Sequence, residues 1–266
     1  MTVSIGQYIP GKSVLHRADP RTKILWTIIM MCLILTCQTF IQYGLVIILT
    51  LAAVICSHIR PKMLLKSLKA ILFLLLFTLV FNLLFYKGTD AVYSFWKITI
   101  YREALIFSAK MILRVTMLVV SASLLTFTTS SVSITDGLES LMKPLAKIKF
   151  PVHEFAMMMS IALRFIPTFA DETDRIIKAQ SSRGAEFDSK NIFKVIKSYV
   201  PVLVPLFIGA FKSAEDMATA MEARCYSGGE GRTKFKVLRY SRIDLIIAII
   251  TLLFIIALVL LKIFKV

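Results

Sequence analysis

Three stretches of this 266-residue chain hold residue types at spacings that chemistry uses. Gly6-Gln7-Tyr8-Ile9-Pro10-Gly11-Lys12-Ser13 spells out the phosphate-loop pattern, in which backbone amides and a helix N-terminus cradle phosphates. That pattern needs a strand before it and a helix after it. Only five residues precede Gly6, Pro10 removes one amide, and His16-Arg17-Ala18-Asp19-Pro20 follows soon after, so the match is set aside. His153-Glu154 opens like a zinc-protease helix, but Met157 stands where the second histidine ligand is required, and the three histidines are far apart. Asp171, Glu172 and Asp174 could support acid–base work. Arg175 and Lys178 stand beside them on a polar helix half, where ion pairing is the expected state. With no G-x-S-x-G elbow either, the chain is read as a non-enzyme with no metal site and no cofactor.

Two further cations, Lys110 and Arg114, lie one turn apart inside the apolar run 104–127. Ionisable residues at such depth face the protein interior or water. They could mark a substrate or proton path, but the run offers no acid to relay a proton. The expected role is an inward pair near a phosphate or an acidic partner. The cysteines, at 32, 37, 56 and 225, form no C-x-x-C pair and read as reduced residues.

The most informative residues lie between 151 and 226. Two long helical patterns there each end in a small residue, an arginine and a turn: Ser182-Arg183-Gly184 and, after Glu222, Ala223-Arg224-Cys225. A glycine just past a helix end suits the left-handed conformation of that position, and an arginine in a last turn complements the helix dipole. The faces ahead of each arginine are small, with Ala179, Ser181 and Ser182 on one and Ala218, Ala220 and Ala223 on the other. Small faces let a helix enter a partner's groove, with arginine as the polar anchor.

At these residues, and in the N-terminal stretch around Leu15-His16-Arg17 and Asp19-Pro20-Arg21-Thr22-Lys23, the chain resembles the transmembrane T component of energy-coupling factor transporters. The resemblance implies a coupling scaffold of an ATP-driven importer in the bacterial cell membrane, shared among vitamin-binding or other micronutrient-binding partners. It implies two partners: a homologous pair of ABC-type ATPase subunits and a small membrane substrate-binding S component. It assigns ATPase docking to Arg183 and Arg224 with Ser182, Gly184, Ala179, Ala223, Cys225 and Glu222. The second motif departs from the family's pattern at Cys225, where a glycine is expected.

These helices need a scaffold, and composition supplies one. An apolar content of 57% in long runs makes this an integral membrane protein, so the formal charge of +16 is read against an anionic lipid surface rather than nucleic acid. No cleavable signal is expected, because the first apolar run is too long and lacks a small-residue cleavage site. The expected fold class is an all-α membrane protein. Five spans are predicted, at 24–40, 43–56, 70–86, 104–127 and 244–264, with a coupling module of one short and two long crossing helices. The divisions are a cytoplasmic segment 1–23, transmembrane helices within 24–127, a cytoplasmic module 128–241 and a last span within 242–266. Basic residues 58–69 read as a cytoplasmic loop, and Tyr93, Trp96 and Tyr101 in 87–103 as an outer interfacial belt. The short helix is predicted over 136–149, capped by Asp136.

The two long helices contain apolar windows, yet a crossing pair would put Arg175, Lys178, Arg183, Lys190, Lys194 and Lys197 outside, against the positive-inside tendency. They are therefore placed along the cytoplasmic face, with Pro167, Pro201, Pro205 and Gly209 as hinge or lever points. The alternative is a self-contained secondary transporter. That class favours internal repeats and membrane-depth carboxylates, and neither is found.

Overall fold

The computed structural model describes residues 8–85, 91–95, 98–187, 191–228 and 237–264. Its elements are α1 (Val14–Arg17), α2 (Pro20–Thr36), α3 (Phe40–Ser57), α4 (Pro61–Phe85), β1 (Ala91–Phe95), β2 (Ile98–Tyr101), α5 (Arg102–Thr128), α6 (Ser131–Met142), a 3₁₀ segment (Lys143–Ile148), α7 (Val152–Ser182), α8 (Ile192–Ala223) and α9 (Arg242–Ile263). The chain divides into two compact units, one of residues 7–140 with 238–266 and one of 141–237 with 1–6. Among the described residues the architecture is helical apart from one short antiparallel hairpin, in which Tyr93 pairs with Ile100 and Phe95 with Ile98. The hairpin occupies most of the stretch read as an interfacial belt. Trp96 of that stretch lies outside the described residues, as do Gly6 and Gln7 of the phosphate-loop match and Lys190.

The first unit is built on α2, α3, α5 and α9. Its core joins Met30 and Ile34 of α2, Tyr43, Val46 and Leu49 of α3, Leu124 and Phe127 of α5, and Leu258 of α9. Asp19 caps α2 through a 2.9 Å bond from the Arg21 amide, with Pro20 at the first helical position, as the residue types predict. The helix stops at Thr36, short of residue 40, because Gln42 intervenes. Its side-chain oxygen accepts from the amides of Gln38 (2.8 Å) and Thr39 (3.3 Å), closing a capping box that starts α3 at Phe40.

Arg114 reaches this turn from α5. Its Nη2 donates to the Cys37 carbonyl at 3.1 Å and its Nε to the Tyr43 hydroxyl at 3.0 Å, while that hydroxyl donates to the same carbonyl at 3.2 Å. The Lys110 ammonium stands 5.2 Å from the centre of the Phe40 ring. Within the described residues this cationic pair meets a helix-end carbonyl, a phenol and a ring. A helix C-terminus leaves carbonyls unbonded and carries the negative end of the dipole, so it takes a buried cation as well as a carboxylate does.

The basic stretch 58–69 is mostly helix rather than loop. His58 turns the chain in the left-handed conformation (φ 53°), and α4 begins at Pro61, so Lys62, Lys66 and Lys69 ride on its first turns. Proline at a helix start loses nothing by lacking an amide. Likewise α6 runs from Ser131 rather than 136. Ser130 accepts from the Ser133 amide at 3.3 Å, and Asp136 sits in the helix body instead of capping it. Gly137 of α6 lies so close to α2 that a Cβ there would stand 3.0 Å from Ile24 Cδ1.

Five helices among the described residues are long and apolar enough to cross a membrane: α3, α4, α5, α8 and α9. The number agrees with the sequence pattern but the set differs. At 17 residues α2 spans about 25 Å at 1.5 Å per residue, less than the roughly 30 Å hydrocarbon core, whereas α8 meets the requirement by length and composition alone.

Where α2 and α9 begin, the unit is tied by buried polar groups. Asp244 Oδ1 accepts from the Asp19 amide at 2.8 Å and its Oδ2 from the Ser241 amide at 2.7 Å. Lys23, one residue ahead of the apolar run, donates to the carbonyls of His16 (3.2 Å) and Thr128 (3.1 Å). Burial pushes its ammonium pKa down to about 8, with the negative charges of Asp244 and then Asp19 acting against that fall.

Candidate functional site

Helices α7 and α8 form the body of the second unit, and their C-termini carry the predicted docking residues. The two ends close in the same way. After α7 the Gly184 amide donates to the Ser181 carbonyl and the Ala185 amide to the Gln180 carbonyl, both at 3.0 Å. After α8 the Cys225 amide donates to the Glu222 carbonyl at 2.8 Å and the Tyr226 amide to the Met221 carbonyl at 3.0 Å. Each is the paired-bond Schellman closure, with a left-handed residue just past the cap. Gly184 holds φ 90° and Cys225 holds φ 55°. The departure from glycine therefore leaves the turn intact. Its penalty is the crowding of a Cβ in the left-handed region, about 1 kcal/mol.

That penalty is measurable. Cys225→Gly stabilises the α8 terminus by about 0.5–1 kcal/mol and slows hydrogen exchange of the Cys225-position and Tyr226 amides by about threefold. Unchanged or faster exchange at both amides contradicts this account of the turn.

Both arginines are cap residues at the very tips, and both are exposed. Among the described residues neither guanidinium makes a hydrogen bond or ion pair within the chain. Ala179, Ser181 and Ser182 are exposed beside Arg183, and Ala218, Ala220, Glu222 and Ala223 beside Arg224. The Ser182 hydroxyl turns inward to the Lys178 carbonyl (3.1 Å), so its outer side stays small and unobtrusive. Two arginines held out on rigid helix ends, with planar donors unspent, can grip carboxylates or carbonyls of another protein.

The two tips differ in their support. Arg224 borders a hollow of about 360 Å3, lined also by Met157 and Ile161 of α7 and by Met221, Cys225 and Tyr226. The end of α8 therefore lies beside the opening turns of α7. Sequence spacing does not pair Met157 or Ile161 with Arg224, some sixty residues away, and only the packing of the two helices does so.

The helices also meet at Gly209. A Cβ there would stand 3.1 Å from Glu172 Oε1, so the glycine admits the α7 carboxylate against the α8 backbone. Glu172 thus packs on α8 and makes no ion pair with Arg175 or Lys178, contrary to the default for that acidic cluster. Both helices run unbroken through Pro167, Pro201 and Pro205. Each proline still removes one backbone donor, which frees the carbonyl four residues earlier.

Residues 11–237 match the cobalt transport protein family (CbiQ). The chain is 51% identical over 252 residues to the energy-coupling factor transporter transmembrane protein EcfT of Ruminiclostridium cellulolyticum, spanning 95% of this chain and 94% of that one. It is 45% identical to the protein of the same description from Clostridium kluyveri, over 94% and 93% of the two chains. Against that of Bacillus subtilis it is 42% identical over 90% and 91%. Likeness of this extent takes in the N-terminal stretch, the apolar helices and both arginine ends together.

Proposed function

The chain belongs to the family of energy-coupling factor transporter transmembrane proteins, and we propose that within such a transporter it is the subunit that couples ATP hydrolysis elsewhere to movement of a substrate-binding partner. The observation that carries this reading is the matched pair of helix ends, each offering an exposed, uncommitted arginine on a Schellman turn. Two alike tips suit a pair of alike partners. These are two ABC-type ATPase subunits, and the third partner is a small membrane protein that binds a vitamin or other micronutrient. Hydrolysis belongs to the ATPases. This chain supplies grip and leverage.

The leverage follows from helix length. Taking the Gly209–Glu172 contact as the crossing point, Arg183 is eleven positions beyond it and Val152 twenty positions before it. At 1.5 Å per residue the arms are about 16 and 30 Å, so a displacement at the tip is nearly doubled at the far end. Closure of the ATPases on nucleotide moves both tips, changes the crossing angle, and tilts whatever rests on the long arms.

The reading requires the tips to lie in the cytoplasm. Within the helix bundle, Arg17 ahead of α2 and Arg21 in its first turn, Arg60, Lys62 and Lys66 at the start of α4, and Arg239 and Arg242 at the start of α9 mark one edge as the cytoplasmic one. Cys225, exposed beside Arg224, is a native probe of where the tips lie. With Cys32 and Cys56 changed to serine, a membrane-impermeant maleimide labels Cys225 in inverted vesicles but not in intact cells, and bound ATPase subunits protect it. Labelling in intact cells overturns the proposal.

A further inference from the structure

In the helix bundle a cavity of about 190 Å3 opens between α2, α3, α5 and α9, toward the end where α2 and α9 begin and α3 and α5 finish. Its walls are hydrocarbon, from Trp26, Leu49, Leu124, Ile247 and Ile250. The hydroxyls along it are turned into their own helices. Thr27 donates to the Lys23 carbonyl (2.8 Å), Thr128 to Leu124 (2.7 Å) and Thr251 to Ile247 (2.7 Å). Lys23, at the polar end, is held by two backbone carbonyls. The slot's surface is almost wholly apolar, so the occupant it suits is a hydrocarbon chain.

The rim has the opposite character. Arg17 follows Val14 and Leu15 at the mouth by one turn, and Arg239 and Arg242 precede Ile243. All three arginines are exposed, and among the described residues none has a hydrogen-bond or ion-pair partner. Two acids at this edge, Asp19 and Asp244, are already committed elsewhere. They are 5% and 4% exposed and already accept backbone amides, and Asp19 also faces Arg21 at 3.9 Å. An apolar slot ending in unmatched arginines is complementary to a molecule with an acyl tail and an anionic head.

We infer that this cavity is a binding site for one anionic phospholipid, its acyl chain between α2, α3 and α9 and its phosphate among Arg17, Arg239 and Arg242. The site is separate from the arginine tips and does not depend on the coupling role. A bound acyl chain fills space that would otherwise leave α9 loosely seated on α2 and α3, so the lipid acts as packing for the last helix.

The test is native mass spectrometry of the full-length chain, purified in detergent and exposed to equal amounts of phosphatidylglycerol and phosphatidylcholine. The wild type retains phosphatidylglycerol about tenfold over phosphatidylcholine. Arg17→Gln, Arg239→Gln and Arg242→Gln together bring the ratio to about one, and as exposed positions they leave the fold intact by size-exclusion profile. Ala52→Phe, at an exposed position lining the slot, lowers retention of both lipids. Inorganic phosphate does not displace the lipid. Equal retention of the two lipids by the wild type, insensitivity to both sets of substitutions, or displacement by inorganic phosphate each overturns the assignment. So does crosslinking of Cys56, which also lines the slot, to a protein partner in the intact transporter.

Discussion

Replacing Arg183 and Arg224 together by alanine leaves the chain inserted and folded but, on the coupling role proposed above, abolishes its capture of ATPase subunits. Both side chains are exposed and bond nothing within the described chain, so the fold loses no contact when they go. A partner loses two charged anchors at interface centres, each accounting for on the order of 2–5 kcal/mol of docking. Recovery of ATPase subunits with a tagged chain therefore falls at least about thirtyfold for each arginine removed. Uptake falls with it, while thermal unfolding of the isolated chain stays where it was. Lysine at the same positions restores only part of the capture, because a point charge does not reproduce the planar guanidinium fork. Undiminished recovery of the ATPases by the alanine pair removes the basis of the coupling proposal.

Asp244→Ala strikes the opposite way, at the fold rather than the partner. Its carboxylate is 4% exposed and receives two backbone amides, from Asp19 and Ser241, that have no water to turn to when it is gone. Two buried donors left without an acceptor destabilise the first unit by about 2–4 kcal/mol. The effect has a pH signature. Asp244 is the larger of the two charges that hold up the pKa of Lys23 against its burial. Without it the folded-state value drops further below about 8, and the unfolded value stays near the ordinary lysine range. A lysine with a lowered folded-state pKa disfavours folding most when protonated, so the variant's extra loss is full below its own lowered value. It shrinks as pH climbs from there, and is gone once pH passes the wild-type value of about 8. Thermal melts of wild type and variant at pH 7 and pH 9 measure both components. A difference between the proteins that is the same at both pH values excludes the contribution of Lys23, and no difference at all excludes the tie itself.

Several features of this molecule are visible in short stretches of sequence because they are local. Asp19-Pro20 announces the start of α2, and Gly184 the end of α7, since each residue type satisfies a geometric demand of its immediate neighbours. Long apolar runs mark the membrane helices for the same reason: hydropathy is a property of a window, not of a fold. Helix ends were less legible where a side chain from the next element sets the stop, as Gln42 does for α2. Cys225 was the ambiguous case. Its residue type argues against a left-handed turn, yet the bonds of Met221 and Glu222 to the amides that follow place it in one.

Sequence alone thus determined that the chain is a helical membrane protein, where its cations cluster, and that two long helices end in alike arginine tips. Tertiary structure alone decided what those helices and cations meet. Arg114 finds a carbonyl 77 residues away, Asp244 an amide 225 residues away, and Glu172 the bare backbone at Gly209. The reason is physical. A polar group removed from water must be answered by some partner, but its residue type says only that one is required. Which partner arrives is settled when apolar surfaces pack and leave a single complementary group within reach.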